Sequence, residues 1–424
     1  MVAILIVAFD GLQPSQIDPH RMPVLSKFAD AGVRFSHNHS VFPSVTRTNA
    51  ATIVTGVTPG KHGLTANKSI FPEYSDNQVV DALHPKLSEI NQLTEGELLF
   101  VPTIGEVIRE HDLQWVSVVG GTSGNAYVQH PNAAENGHVV IHSEFTNPPL
   151  HFDKVKSQYG DWPSKKAPAA DLVRRTADVA IGYALAELNP DVLMVWFPEP
   201  DTSQHAFGVD SPEARRMIEL ADRELGRILK RVSQQGYEPD VFIVSDHGYS
   251  TIDSVIDVDQ ELSAGGFNIG SKENSVVTAD NGGSVLFYVP GADSELSARL
   301  LRWLSVQRWV GSIDTDVPRI TRSLIALLVK CISKQIMSSA NTDAIIRAHY
   351  QNHSDCTKDR KSLVKAVDQA YFRLVSAIKI AHGVKQGTIH GITIVDANQH
   401  FINTMTWIIT WWEAVVEPHP QYKY

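Results

Sequence analysis

Three apolar segments of this chain are each followed closely by side chains that bind metal ions. The segments are residues 4–9, 192–197 and 241–244, and the side chains that follow them are Asp10, Asp201 with His205, and Asp246 with His247. Unbroken apolar runs of this length are typical of strands buried on both faces of a parallel sheet. Ligands of such sheets bind beyond the carboxyl ends of the strands. The sequence therefore predicts a doubly wound α/β fold, with a mostly parallel sheet, helices on both faces and one shared polar edge.

This polar edge favours a metal site over a set of helix caps. An Asp after a strand commonly caps the next helix, and for Asp10 alone that is the simpler interpretation. Three converging sets, two of which are Asp/His pairs, are hard to explain as caps. We therefore interpret the edge as the site of a two-metal hydrolase.

A fourth segment, residues 42–56, supplies a candidate nucleophile. It begins as a loop and continues as a small-residue helix that is predicted to stop near Gly56. Thr46 lies where this helix begins, and the backbone N–H groups at that end favour an anion. A hydroxyl beside a divalent cation loses its proton more easily. An N-cap role explains Thr46 equally well when the residue is taken alone, and the neighbouring metal ligands favour the nucleophile.

Six motifs occur in the order in which one known family carries them, across residues 1–250. They are Phe9-Asp10-Gly11, Pro43-Ser44-Val45-Thr46, Ile53-Val54-Thr55-Gly56, Gly60-Lys61-His62-Gly63-Leu64, Glu199-Pro200-Asp201 with His205, and Ser245-Asp246-His247-Gly248. On these motifs the chain resembles the alkaline phosphatase superfamily, in particular the nucleotide pyrophosphatase/phosphodiesterase branch with its phosphonoacetate hydrolase relatives. The resemblance implies two zinc ions close together and a Thr that attacks phosphorus.

The resemblance also assigns ligands to the two metals. It implies that Asp10, Asp246 and His247 hold one metal, with Thr46 as its reactive ligand. The second metal would take Asp201, His205 and a late His, for which His390 is preferred over its rivals His382 and His400. Asn67 falls where the family has an amide that hydrogen-bonds a phosphoryl oxygen, although an Asn in a loop is more often a turn residue. Manganese is the alternative to zinc, because Asp/His sites also accept it.

The expected activity is hydrolysis of a small phosphate ester or nucleotide-like substrate, by phosphodiesterase or nucleotide pyrophosphatase chemistry. Thr46 would attack phosphorus and form a covalent phosphothreonine, while the cations stabilise the developing charge. Two alternatives stay open. One is a phosphonate or phosphomonoester hydrolase of the same superfamily, and the other is a non-catalytic or degenerate relative with an incomplete metal site.

Composition limits the partners and the compartment. The formal net charge of −10 disfavours a nucleic-acid or anionic-membrane surface. Two cysteines, Cys331 and Cys356, are too few for a disulfide framework. No apolar run is long enough to span a bilayer, and the first strand begins too close to Met1 to leave room for a signal peptide. We therefore expect a cytoplasmic location.

The element pattern suggests two regions. Residues 1–310 are predicted to form the catalytic core, with a cap or loop insertion around 65–165 and a long surface excursion over 130–168. Residues 311–424 would complete the core with atypical helical structure. Other predicted elements are a tight turn over 120–125, helices over 22–32, 169–188, 212–234 and 294–304, a hairpin formed by 276–278 and 284–289, and helices over 323–336 and 362–380.

Overall fold

The computed structural model describes residues 2–75, 77–236 and 238–313. The chain divides into two units, Met1–Gly291 and Ala292–Tyr424. The strands of the first unit are β1 (Ile4–Phe9), β2 (Lys68–Ile70), β3 (Val79–Asp81), β4 (Trp115–Val119), β5 (Val139–His142), β6 (Thr146–Asn147), β7 (Val192–Phe197), β8 (Asp240–Val244), β9 (Asn268–Ile269), β10 (Ser275–Asn281) and β11 (Ser284–Tyr288).

Helices surround these strands. They are α1 (Pro23–Ala31), α2 (Thr46–Thr55), α3 (Pro59–His62), α4 (Lys86–Leu93), α5 (Ile104–Arg109), α6 (Ser123–Gln129), α7 (Leu150–Tyr159), α8 (Ala170–Val179), α9 (Asp201–Phe207), α10 (Pro212–Gln234) and α11 (Val258–Ala264). A π-helical segment, Ala180–Leu188, continues α8. In the second unit, α12 covers Ser294–Leu304. Among the described residues, no helix combines the length and the apolar character that a membrane crossing requires.

The central sheet has six strands in the order β6-β5-β4-β7-β1-β8. Strands β5, β4, β7, β1 and β8 are parallel to their neighbours, and only β6 pairs in the antiparallel direction. The mostly parallel sheet predicted from the apolar runs is therefore confirmed. Smaller sheets join β2 to β3 and β9 to β10 and β11, and the predicted hairpin is formed by β10 and β11.

Side chains of β1 alternate between two separate hydrophobic cores. Leu5, Val7 and Phe9 pack in a core with side chains of α1, α8 and α10, whereas Ile6 and Ala8 pack in a core with side chains of α2, α4 and α6. Each fully buried aliphatic or aromatic side chain contributes about 1.5–3 kcal/mol relative to an exposed one. Both faces of the sheet are thus covered by helices, as the doubly wound fold requires.

Helices predicted from amphipathic periodicity have the expected bounds. The prediction over 212–234 coincides with α10, whose first turn is capped by the Ser211 hydroxyl. Over 169–188 the chain is helical but becomes π-helical from Ala180. The predicted helices over 323–336 and 362–380, and the whole segment after residue 313, lie outside the described residues.

Three local predictions were wrong. Strand β8 is not buried on both faces, and Phe242 is 50% exposed because β8 lies at an edge of the sheet in the described part of the chain. Residues 130–168 are not a surface excursion, since β5 and β6 extend the main sheet there. The Gly-rich run over 120–125 is not a simple turn, because Thr122 caps α6 and accepts from the backbone N–H of Asn125. Within the range 65–165, β4, β5 and β6 therefore belong to the main sheet.

Candidate active site

Three buried carboxylates lie at the carboxyl ends of the adjacent strands β7, β1 and β8. Asp10 follows β1, Asp201 is the first residue of α9 after β7, and Asp246 follows β8. Their exposed fractions are 2%, 8% and 1%. The backbone joins them directly, because Asp201 N donates to Asp10 O at 3.0 Å and Gly11 N donates to Asp246 Oδ1 at 3.1 Å. Parallel pairing thus brings together carboxylates that are far apart in sequence.

Two imidazoles face these carboxylates. His247 Nε2 lies 3.5 Å from Asp10 Oδ1 and 3.3 Å from Asp246 Oδ2, and His205 Nε2 lies 3.4 Å from Asp201 Oδ1. Candidate ligand atoms of Asp10, Asp201 and His247 all lie within 4.8 Å of one another. The two predicted ligand sets are therefore neighbours at one edge of the sheet.

Each of the three carboxylates has one buried oxygen without a well-formed hydrogen bond. These atoms are Asp10 Oδ1, Asp201 Oδ1 and Asp246 Oδ2. The opposite oxygens of two of them are held in place, since Asp10 Oδ2 accepts from Trp196 Nε1 at 3.1 Å and Asp246 Oδ1 accepts from two backbone N–H groups. Buried charges without partners are costly unless a cation compensates them. This donor set therefore fits divalent metal ions.

Burial and mutual repulsion perturb the acidic groups. Burial raises the pKa of Asp10 well above its ordinary value, and the charges of Asp246 and Asp201 raise it further. Burial also raises the pKa of Asp246. For Asp201 burial again acts to raise the pKa, but the neighbouring imidazole of His205 outweighs it and the pKa is lowered. In return, the interaction with Asp201 raises the pKa of His205. Such clustered shifts are typical of functional sites.

Hydrogen bonds orient both imidazole rings. His247 Nδ1 is 2.9 Å from the carbonyl oxygen of Gly248, which only accepts, so the neutral tautomer with its proton on Nδ1 satisfies this contact and leaves the Nε2 lone pair for a metal ion. His205 Nδ1 contacts the Tyr249 hydroxyl at 2.6 Å. Burial, followed by the charge of Asp201, raises the pKa of Tyr249 to about 12. Ring orientation by such partners is common among metal-binding histidines.

Thr46 is the first residue of α2, as predicted, and the helix ends at Gly56, where φ is +70°. The Thr46 hydroxyl lies 3.1 Å from His247 Nε2. Val45, rather than Thr46, occupies the N-cap position, and it makes no side-chain cap. The simple capping role is therefore not the one that this structure gives to the Thr46 hydroxyl.

Asn67 lies beside the nucleophile helix. Its Oδ1 accepts from Arg47 N at 3.0 Å, so its two Nδ2 protons point away from this contact. The Arg47 guanidinium in turn donates to Asn67 O at 3.0 Å and pairs with Asp81. The amide of Asn67 is consequently held in one orientation next to Thr46.

The predicted late ligand His390 and its rivals His382 and His400 lie outside the described residues. His62, which sits within the fourth sequence motif, is fully buried and contacts the Thr52 hydroxyl at 3.0 Å. Burial lowers the pKa of His62 to about 4. Such full burial with a partner on its own motif's neighbouring helix is typical of a structural histidine.

Residues 4–381 match the model of the type I phosphodiesterase / nucleotide pyrophosphatase family. The chain belongs to this family. It is 24% identical over 247 residues to an uncharacterized pyrophosphatase/phosphodiesterase of Schizosaccharomyces pombe, covering 58% of this chain and 44% of the relative. It is also 24% identical over 276 residues to a bis(5'-adenosyl)-triphosphatase, ENPP4, of Bos taurus, covering 60% and 50%. The chain thus spans about half the length of these curated relatives.

A solved structure supports the fold. Phosphonoacetate hydrolase from Sinorhizobium meliloti 1021, in complex with phosphonoacetate, superimposes with a TM-score of 0.51 at 23% identity, over 70% of this chain and 72% of that chain. At this identity the match shows the alkaline phosphatase-like α/β fold alone.

Two side chains of the site were not predicted from the sequence. Trp196 lies inside the apolar run of β7, and nothing in that run indicates that its indole N–H donates to Asp10. Glu199 belongs to the Glu-Pro-Asp motif but was given no role. It is fully buried and accepts from the backbone N–H groups of Ala169 and Ser203. Its position two residues before a predicted ligand was the one available signal.

Proposed function

We propose that this chain is a two-metal phosphodiesterase of the nucleotide pyrophosphatase type, with Thr46 as its nucleophile. The observation that supports this most strongly is the Thr46 hydroxyl lying 3.1 Å from His247 Nε2, beside three buried carboxylates that each have one oxygen without a well-formed hydrogen bond. A structural cluster of charges would pair these oxygens within the protein. Their availability next to a hydroxyl at a helix N-terminus favours a site that binds metal ions and an anionic substrate.

Two ligand sets are proposed. Asp10, Asp246 and His247 would hold one ion next to Thr46, and Asp201, His205 and His390 would hold the other. Zinc suits this mixture of oxygen and nitrogen donors, and manganese is the second choice. When bound, the two ions would lower the pKa of the nucleophile and neutralise charge on the phosphoryl group.

The residues of the chain would act in two displacement steps. In the first, Thr46 Oγ gives up its proton and bonds to phosphorus while the bond from phosphorus to the leaving oxygen breaks, and the net result carries that proton to the leaving oxygen. In the second, a water oxygen attacks phosphorus and the Thr46 Oγ–P bond breaks, which returns the hydroxyl. Asn67 would donate its Nδ2 protons to a phosphoryl oxygen, because its Oδ1 is already occupied by Arg47 N. The backbone N–H groups at the start of α2 would stabilise the same charge.

The proposed substrates are small phosphodiesters or pyrophosphates. A curated relative is named a bis(5'-adenosyl)-triphosphatase, which favours a nucleotide-like substrate. A related solved structure contains phosphonoacetate, so phosphonate or monoester hydrolysis is the alternative reaction. A second alternative is that the chain is a non-catalytic member of the family with an incomplete metal site.

The test compares the rates at which the chain hydrolyses a diester, bis-p-nitrophenyl phosphate, and a monoester, p-nitrophenyl phosphate, in buffer with added zinc. We expect Thr46→Ala to reduce turnover of the preferred ester on the order of 10³-fold or more. Thr55→Ala is the matched control, because Thr55 lies at the other end of α2 and its hydroxyl donates to Ala51 O. Bound zinc is measured in every variant.

Three outcomes separate the alternatives. Faster diester cleavage that is lost only in Thr46→Ala supports the proposal. Preferential monoester cleavage with the same mutant effect keeps the nucleophile but changes the substrate class. No hydrolysis of either ester, with fewer than two zinc ions bound per chain, supports the non-catalytic alternative.

A further inference from the structure

Three separate parts of the chain hold the backbone at Asn67 and Lys68. Ala82 N donates to Asn67 O at 2.8 Å, and Arg47 Nη1 donates to the same oxygen at 3.0 Å. On the other side, Lys68 N donates to Asn281 Oδ1 at 2.9 Å, and Asn281 Nδ2 donates to Lys68 O at 2.9 Å. The position of the Asn67 amide is therefore set from α2, from the end of β3 and from β10.

Arg47 contacts Asn67 at both of its ends. The backbone N–H of Arg47 donates to Asn67 Oδ1, and its guanidinium donates to Asn67 O. Asp81 also accepts from Nη1, so both protons of this nitrogen are used. The Arg47 side chain is only 9% exposed, and the residue directly follows Thr46 in the chain. One residue thus joins the candidate nucleophile to the candidate phosphoryl-binding amide.

The hairpin of β10 and β11 holds the same segment from a distant part of the sequence. The Asn281 amide is buried and offers Lys68 one acceptor and one donor, as a neighbouring strand would. These two residues are 213 positions apart. The Tyr288 hydroxyl in β11 accepts from Ile70 N at 3.2 Å. The hairpin therefore fixes β2 directly after Asn67.

We propose that Arg47 and Asn281 are positioning residues, which hold the Asn67 Nδ2 group where it can donate to the phosphoryl oxygen of a substrate attacked by Thr46. This inference rests on the proposed function. Because Asn67 Oδ1 is occupied by a backbone N–H of α2, the direction of Nδ2 depends on where the backbone at Asn67 lies. A displacement of about 1 Å in a positioned group can reduce a rate about 100-fold.

The experiment asks whether both residues act through the Asn67 amide. Arg47→Met and Asn281→Ala are each made in the parent chain and in Asn67→Ala. For every variant we would measure kcat/KM for the preferred p-nitrophenyl ester and the dissociation constant of inorganic phosphate, both with added zinc. Urea unfolding and bound zinc show that each variant is folded and loaded.

Arg47→Met is a mild substitution for the fold. It keeps the backbone N–H that bonds Asn67 Oδ1, and Asn67 O keeps its bond from Ala82 N. The Asp81 side chain is 45% exposed, so water can replace the lost partner. This variant tests the inference even if Asn281→Ala, which removes a buried amide, fails to fold.

Arg227→Met is the matched control. Arg227 lies in α10 and also bonds two carboxylates, those of Glu224 and Asp178. Its helix packs on the face of the sheet opposite α2. Arg47→Lys is the conservative variant, because an ammonium can still donate to Asn67 O although it lacks the planar fork of a guanidinium.

With Asn67 present, we expect Arg47→Met and Asn281→Ala each to lower kcat/KM about 10–100-fold. Each should also weaken phosphate binding about tenfold, the usual scale for one hydrogen bond to a charged group. In Asn67→Ala the same substitutions should change both quantities within about twofold. Arg47→Lys should recover part of the loss, and Arg227→Met should cause none.

A purely structural role gives a different pattern. Equal losses with and without the Asn67 amide, no loss from Arg47→Met, or the same loss from Arg227→Met would overturn the inference. Hydrolysis that shows no coupling to Asn67 would refute the inference and leave the proposed function standing. Coupling seen in phosphate binding, in a chain that hydrolyses no ester, would refute only the proposed function. A chain that neither binds phosphate nor hydrolyses an ester would refute both.

Discussion

Replacing Trp196 with Phe should weaken metal binding without touching a metal ligand. The indole Nε1 donates to Asp10 Oδ2 at 3.1 Å, and the Trp196 side chain is fully buried in β7. Phe keeps an aromatic ring in the core but removes this donor. Asp10 then loses the contact that orients its other carboxylate oxygen towards the site. The indole hydrogen bond also lowers the pKa of Asp10, so its removal raises this pKa and makes the carboxyl easier to protonate.

The size of the effect follows from the hydrogen bond. A bond to a charged group contributes about 1.5–3 kcal/mol, and loss of a partner behind a ligand typically reduces metal affinity about 10–100-fold. We therefore expect the zinc dissociation constant of Trp196→Phe to rise by about 10–100-fold at pH 8. The increase should be larger at pH 6, where protons compete more strongly for Asp10.

Trp115→Phe provides the matched control. Trp115 is also fully buried in the main sheet, but its Nε1 has no hydrogen-bond partner in the described part of the chain. Both substitutions remove the same atoms from a fully buried side chain, so the difference in zinc affinity between them reports mainly on the indole donor. Zinc affinity is measured by competition with a chromogenic chelator, and folding by circular dichroism. Dissociation constants that agree within twofold between the two variants would refute the reasoning.

Three further predictions concern stability and are measured by urea unfolding. Gly124→Ala should destabilise the chain by more than about 1–3 kcal/mol, because the new Cβ would lie 1.9 Å from Ala82 O. The control Gly60→Ala has open space around its Cβ and should leave stability nearly unchanged. Equal effects of the two substitutions would contradict the packing argument. Asp222→Ala should lower the free energy of unfolding by about 1–3 kcal/mol, since both carboxylate oxygens of Asp222 accept hydrogen bonds from first-turn N–H groups of α1. An unchanged urea midpoint would show that Asp222 does not cap this helix. Burial, followed by the charge of His138, lowers the pKa of His130 to about 3, so the unfolded state binds a proton at His130 more readily than the folded state does. The free energy of unfolding should therefore fall between pH 7.5 and pH 5, and this fall should be about 2 kcal/mol smaller in His130→Gln. An identical fall in both chains would show that His130 does not titrate in this way.

The elements that sequence predicted well are those encoded by local patterns. Strands β1 and β7 are apolar throughout, so their burial in a parallel sheet follows from composition alone. The bounds of α10 follow from its amphipathic period and from Ser211 and Pro212 at its start. Thr46 was predicted at the start of α2 because a loop with Pro43 precedes a run of helix-compatible small residues and Gly56 ends it.

Other elements gave misleading local signals. The run of β8 looks like a central strand, yet its edge position in the described sheet exposes Phe242. Strand β5 is short and lies in a His- and Pro-rich stretch, so its membership of the sheet was not visible. Apolar patterns report how a segment divides between water and core, but they do not report which neighbours it receives.

The sequence by itself determined the fold class, the family and the residues that follow the apolar strands, because all of these depend on residue type and order along the chain. Only the tertiary structure decided how they meet. Trp196 reaches Asp10 across 186 positions and Gly11 reaches Asp246 across 235, and the 160–169 loop joins the site through Glu199. Such contacts depend on strand order and register, which arise from packing of the whole chain, and no local pattern encodes them.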